Sequence, residues 1–179
     1  MPFQKKLACV SVAGRGATDA LLSEVAVALE AAGMRLAGTI QSNPERIGRR
    51  LCDMDIRVLP DGPTLRISED RGDLARGCRL DAGVLEEAVF EVGRRLGGAD
   101  LLVVNKFGKR ECEGKGLVPI IAEALEIGLP VLIGVNGPNL QSLRDFAGDW
   151  LEELAAEPDA VMAWASDAVA ERTTATTRN

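Results

Sequence analysis

The chain contains no histidine and no tyrosine in 179 residues, and aromatic side chains make up only 3% of it. Without histidine, Ser-His-Asp and Cys-His catalysis and His-ligated metal sites are excluded. Acid–base work must fall to carboxylates, lysines or bound water. An excess of positive charge is also lacking: 21 Lys and Arg stand against 27 Asp and Glu, a net charge of -6. A general grip on nucleic acid needs the opposite balance, so no nucleic-acid partner is expected. Arg46, Arg49 and Arg50 form the one small basic cluster. No apolar run approaches the length of a membrane span, and the opening MPFQKK lacks the apolar stretch of a signal peptide. The expectation is a cytoplasmic protein with no membrane partner. No C-x-x-C pair occurs among Cys9, Cys52, Cys78 and Cys112, which argues against a zinc ribbon. In a cytosolic setting these are free thiols, and Cys9 reads as a small core residue. Cys52, Asp53, Asp55 and Cys78 offer soft and hard ligand atoms, but their spacing does not demand a metal, and no metal site is assigned.

What is present is a globular composition, 46% apolar and 27% charged. The length suits a single α/β domain over residues 1–170, with 171–179 (ERTTATTRN) having nothing to bury and expected to fray. The organising stretch is Leu7 to Leu29. Leu7–Val12 has the apolar pattern of a strand buried on both faces. Ala13-Gly14-Arg15-Gly16-Ala17 breaks it, and Thr18-Asp19 offers N-cap side chains to a helix carrying Leu21, Leu22, Val25, Ala28, Leu29 and Ala32 on one face. A glycine turn between a parallel strand and a helix N-terminus leaves backbone N–H groups free beside the positive end of a dipole, a setting that holds anions.

Further along, Met34–Gln41 reads as a strand. Residues 51–68 alternate apolar and polar around Pro60-Asp61-Gly62-Pro63, the signature of an antiparallel hairpin inserted at the sheet edge. Glu69–Gly77 is a charged loop, and Asp81 caps a helix from Ala82 to Leu96. Leu101–Val104 is a central strand ending in the polar loop Asn105–Glu111. A helix at Leu117–Ile127, a strand at Pro130–Val135 and helices at Leu140–Leu154 and Asp159–Ala170 follow, with Trp150 and Trp164 covering the end of the sheet. Strands alternating with helices imply a mainly parallel sheet in three layers. Ligands of such sheets sit beyond the carboxyl ends of the strands, where the glycine turn and the NKFGKRE loop both open.

The glycine turn can be laid on the phosphate-binding pattern G-x-x-x-x-G-K-[ST] as Ser11 through Thr18. Gly16 and Thr18 fit it. Ser11 replaces the first glycine and Ala17 the lysine, leaving Arg15 as the nearest cation. The candidate ligand groups are therefore Gly14, Arg15, Gly16, Ala17 and Thr18, with Asn105, Lys106 and Lys109 on the facing loop. Where a strand-end acidic pair would hold magnesium, this chain has Asn105-Lys106, which favours an anion over the metal. Glu111 is the candidate catalytic carboxylate, activating water or orienting the loop.

The strand–glycine turn–helix, AGTIQ, GCRLD, NKFGKRECEGKGL and PVLIGV together resemble an uncharacterised bacterial domain family related to the thermostable P-loop nucleoside triphosphatases. Some members of that family carry labels tied to molybdenum transport. The resemblance runs from about Lys6 to Trp164 and implies a P-loop-like fold. In the triphosphatase relatives a strand-end Asp-Glu, a Gly and a further Glu form the magnesium and catalytic edge. Those positions fall on Asn105, Lys106, Gly108 and Glu111, of which only Gly108 and Glu111 match. Three functions stay open: a nucleotide- or oxyanion-binding protein with a degenerate phosphate turn and weak or no hydrolysis, an active triphosphatase, and a non-catalytic regulator, molybdenum-related by the family label, that docks or dimerises through the hairpin edge.

Overall fold

The computed structural model describes residues 6–42, 54–69 and 80–178. The basic cluster Arg46, Arg49 and Arg50, the start of the expected hairpin, the charged loop after Glu69, and Cys52, Asp53 and Cys78 lie outside these residues. Of the metal-ligand reading only Asp55 is described, and it accepts from Arg66 at 2.8 Å.

Helices alternate with the parallel strands. Strand β1 (Leu7–Val10) leads into helix α1 (Ala17–Ala31) and strand β2 (Leu36–Ser42). A hairpin follows, β3 (Asp55–Leu59) and β4 (Thr64–Arg66), then α2 (Ala82–Gly93) and β5 (Leu101–Val104). A short helix α3 (Lys109–Cys112) precedes α4 (Val118–Glu126), β6 (Val131–Gly134), α5 (Gly137–Ala147), β7 (Leu151–Glu153) and α6 (Pro158–Thr177). The strands form one seven-stranded sheet in the order β4-β3-β2-β5-β6-β1-β7. Strands β2, β5, β6, β1 and β7 are parallel, and β3 and β4 are antiparallel additions on β2. The fold is thus α/β with a mostly parallel sheet, and the inserted hairpin extends one edge of it.

The period of two along each strand sorts the core into two layers. Leu7, Cys9, Leu102, Val104, Val131 and Ile133 pack under α2, α4 and α5. Ala8, Val10, Leu101, Val103 and Leu132 pack under α1 and α6. Cys9 is a core residue as its strand setting implies, and burial pushes its thiol up to about 11, with Glu153 adding to the rise.

Three expectations for the C-terminal part fail. Leu151–Glu153 is a strand paired with β1, because Gly148, at φ 54, ends α5 and sends the chain back to the sheet edge. Trp150 is consequently 72% exposed and covers nothing, whereas Trp164 on α6 is buried. Residues 171–177 continue α6 instead of fraying. They are held by an Arg172 guanidinium hydrogen bond of 3.0 Å to the Ala99 carbonyl and by threonine hydroxyls that donate to carbonyls one turn back.

Candidate functional site

At the carboxyl edge of the sheet, neighbouring strands β1 and β6 send their connections to opposite faces, β1 to α1 and β6 to α5. A crevice opens where such a reversal occurs. Gly134, at the end of β6, is its narrow point. A Cβ there would overlap the Asn105 carbonyl oxygen and stand 2.6 Å from Leu22 Cδ1 and 3.1 Å from Thr18 Cγ2. Only glycine lets the β5 loop and the start of α1 approach β6 from its two sides.

The glycine turn takes a form the residues dictate but the expected cap does not. Gly14 and Gly16 have φ of 107° and 73°, the left-handed region that side chains disfavour. Gly16, not Thr18 or Asp19, occupies the N-cap position of α1. The Thr18 hydroxyl turns back instead, accepting from the Val12 amide at 3.0 Å with the Val12 carbonyl 3.4 Å away. It staples the two ends of the turn together and is therefore not a free ligand group. The Ala17 amide reaches the Gly14 carbonyl at a long 3.4 Å. The amides of Gly14, Arg15 and Gly16 meet no acceptor among the described residues, and Arg15 is exposed. The corner is solvent-facing, with backbone donors available.

The facing loop is the better-built half. The β5 strand ends on Asn105, which is 5% exposed. Its carbonyl oxygen accepts from the Thr39 hydroxyl at 2.5 Å, and its amide nitrogen donates to Gln41 Oε1 at 2.9 Å. These bonds from β2 fix the Asn105 carboxamide and leave its second N–H over. Beyond it, Phe107 is buried and its amide donates to the Gly134 carbonyl at 2.7 Å, tying the loop across β6. Glu111, the third residue of α3, is 6% exposed. One carboxylate oxygen accepts from the Gly108 amide and the other from the Leu117 amide, both at 3.0 Å. Gly116, at φ 60, passes so close to this carboxylate that any Cβ would overlap it. Each carboxylate oxygen accepts from one backbone amide, as loop orientation requires, and Glu111 also lines the cavity described below.

With the loop pinned from inside, Lys106 and Lys109 stand exposed on it, and neither has an ion-pair partner among the described residues. Arg110 is shared with Glu86 at 3.2 Å, but its Nε is buried with no hydrogen-bond partner among the described residues. These groups border a cavity of about 250 Å³ on the face carrying α2 and α5. Its remaining walls are apolar and come from the hairpin, from α2 and from Leu117, with Gln41, Asn136 and Asn139 as further polar groups. The structure therefore gathers Asn105, Lys106, Lys109 and Glu111 around one cavity. Gly14 to Thr18 lie outside it, at the end of β1. The hairpin walls were legible in the sequence as a hairpin but not as part of a site; the period-2 pattern of Ile56 and Ile67 marks a buried face without saying what the face encloses.

Fold and site define an α/β protein with a cationic, amide-lined carboxyl edge. The chain belongs to the family described as "Protein of unknown function (DUF2478)", which it matches over residues 7–164. Over 150 residues, 83% of the chain, it is 33% identical to "Molybdenum import ATP-binding protein ModC 2" of Bradyrhizobium diazoefficiens. That match spans 17% of the length of the relative. No solved structure matches the chain.

Proposed function

We propose that this protein binds a small anion, a nucleotide or an oxyanion, at the carboxyl edge of its sheet and hydrolyses nucleoside triphosphates weakly or not at all. The carrying observation is the pair Lys106 and Lys109, two cations without carboxylate partners among the described residues, held on a loop whose interior is fixed by Glu111 and Asn105. Unpaired cations on a rigid loop cost little to reorganise when an anion arrives. The amides of Gly14, Arg15 and Gly16, with the Arg15 side chain, supply a second set of donors across β6. The resemblance to an ATP-binding protein of molybdenum import supports a nucleotide or an oxyanion such as molybdate as the ligand class.

Weak or absent hydrolysis follows from the same residues. A phosphoryl-transfer edge needs carboxylates free to hold magnesium or a water. Here the strand-end positions are Asn105 and Lys106, and the Glu111 oxygens already accept backbone amides. Titration calorimetry with ATP, GTP, phosphate and molybdate tests the reading. At least one ligand is expected to bind, with affinity falling about tenfold or more when Lys106 and Lys109 are both changed to Ala. Heat from none of them, in a folded sample, contradicts it. Magnesium-dependent phosphate release well above background would instead establish the triphosphatase, with Glu111→Gln informative only under conditions where that variant stays folded.

A further inference from the structure

We infer that the cavity between the hairpin and the β5 loop is a binding site for the flat apolar body of an organic anion, of the nucleoside monophosphate class, whose phosphate lies on Lys106 and Lys109. The inference rests on the anion-binding reading above and adds to it where the rest of the ligand goes. An inorganic oxyanion needs only donors and charge. This cavity offers more: Ile56 and Ile67 of the hairpin, Leu85 of α2 and Leu117 before α4 form an apolar wall directly beside the cationic loop. Apolar walls with a few fixed polar groups are what an organic ligand buries itself against.

Polar groups stand beside this wall. The Asn105 carboxamide is almost wholly buried, oriented by Thr39 and Gln41, and retains one N–H and one acceptor lone pair. The N–H left over gives a ligand in the cavity one fixed donor. Arg110, whose guanidinium pairs with Glu86, lines the same space. The volume sets the size. About 250 Å³ corresponds to about eight waters of liquid, room for one heterocycle with part of its sugar. The exposed lysines at the rim then meet the phosphate in solvent.

Titration of the protein with AMP, GMP, CMP and UMP, with the four nucleosides, and with inorganic phosphate and molybdate tests this. At least one monophosphate is expected to bind at least about tenfold more tightly than both phosphate and its own nucleoside. Met54→Trp and Leu80→Trp each place bulk in the cavity from a half-buried position. In whichever of them keeps the wild-type circular dichroism, nucleotide affinity should fall about tenfold while binding of the inorganic anion stays within about twofold. If phosphate or molybdate binds and no monophosphate exceeds it by that margin, the cavity assignment is overturned and the anion-binding reading stands. Monophosphate binding that survives both fillings also overturns the cavity. If none of these anions binds, the cavity assignment is overturned, and the anion-binding reading then rests on ATP and GTP and falls if they give no heat either.

Discussion

Glu111 carries the most consequence of any single side chain. A buried carboxylate is costly unless its oxygens are satisfied, and here two backbone amides satisfy them and in doing so close the loop from Gly108 to Leu117. Replacing Glu111 by Gln puts an amide N–H against a backbone N–H in any rotamer that keeps the other bond. The expected cost is about 2 kcal/mol of stability, read as a lowered midpoint in urea unfolding. A variant as stable as wild type would show that these bonds contribute nothing. From the sequence, Glu111 is visible as an acidic residue in a basic loop, but its partners are not. Both are main-chain amides, and side-chain spacing says nothing of where an amide points. The Gly116 requirement is equally hidden, because a glycine in a polar loop reads as a turn until the carboxylate beside it is seen.

Among the elements, strands β1, β5 and β6 were legible because runs such as Leu101–Val104 are apolar on both faces, and only a central parallel strand buries both. The hairpin was legible from alternation around its turn. Strand β7 was not: Leu151–Glu153 holds one buried residue and lies on an edge, so helical periodicity from the preceding segment runs over it. The α1 cap was misjudged for a related reason. Thr18 is a good N-cap type, but Gly14 and Gly16 in left-handed backbone already turn the chain, and the hydroxyl finds a better use at Val12. At the end of β6, Gly134 joins the two halves of the edge. Gly134→Ala forces Asn105 and Leu22 apart and is expected to destabilise by about 2–3 kcal/mol. Thermal unfolding measures this, and an unchanged midpoint would mean that the edge is looser than its contacts imply.

For the whole molecule, the sheet order places β1 two strands from β5, with β6 between, so the glycine turn and the lysine loop are neighbours across one strand end and do not share a single enclosed cavity. That arrangement was only half visible beforehand. Alternating strands and helices imply that all carboxyl ends share an edge, but the order of strands along the edge needs the register. The net charge of -6 adds a further constraint. In a molecule that repels anions overall, binding must be local, so the lysines of one loop should decide it, with salt weakening the exposed contacts. The most direct measurement is a 1H–15N correlation spectrum of the labelled protein titrated with phosphate and with ATP. The account predicts saturable shifts concentrated at the amides of Lys106 to Lys109 and of Gly14 to Gly16, and lost in the Lys106→Ala, Lys109→Ala double variant. Shifts confined to other surfaces, or none at millimolar ligand, would contradict it.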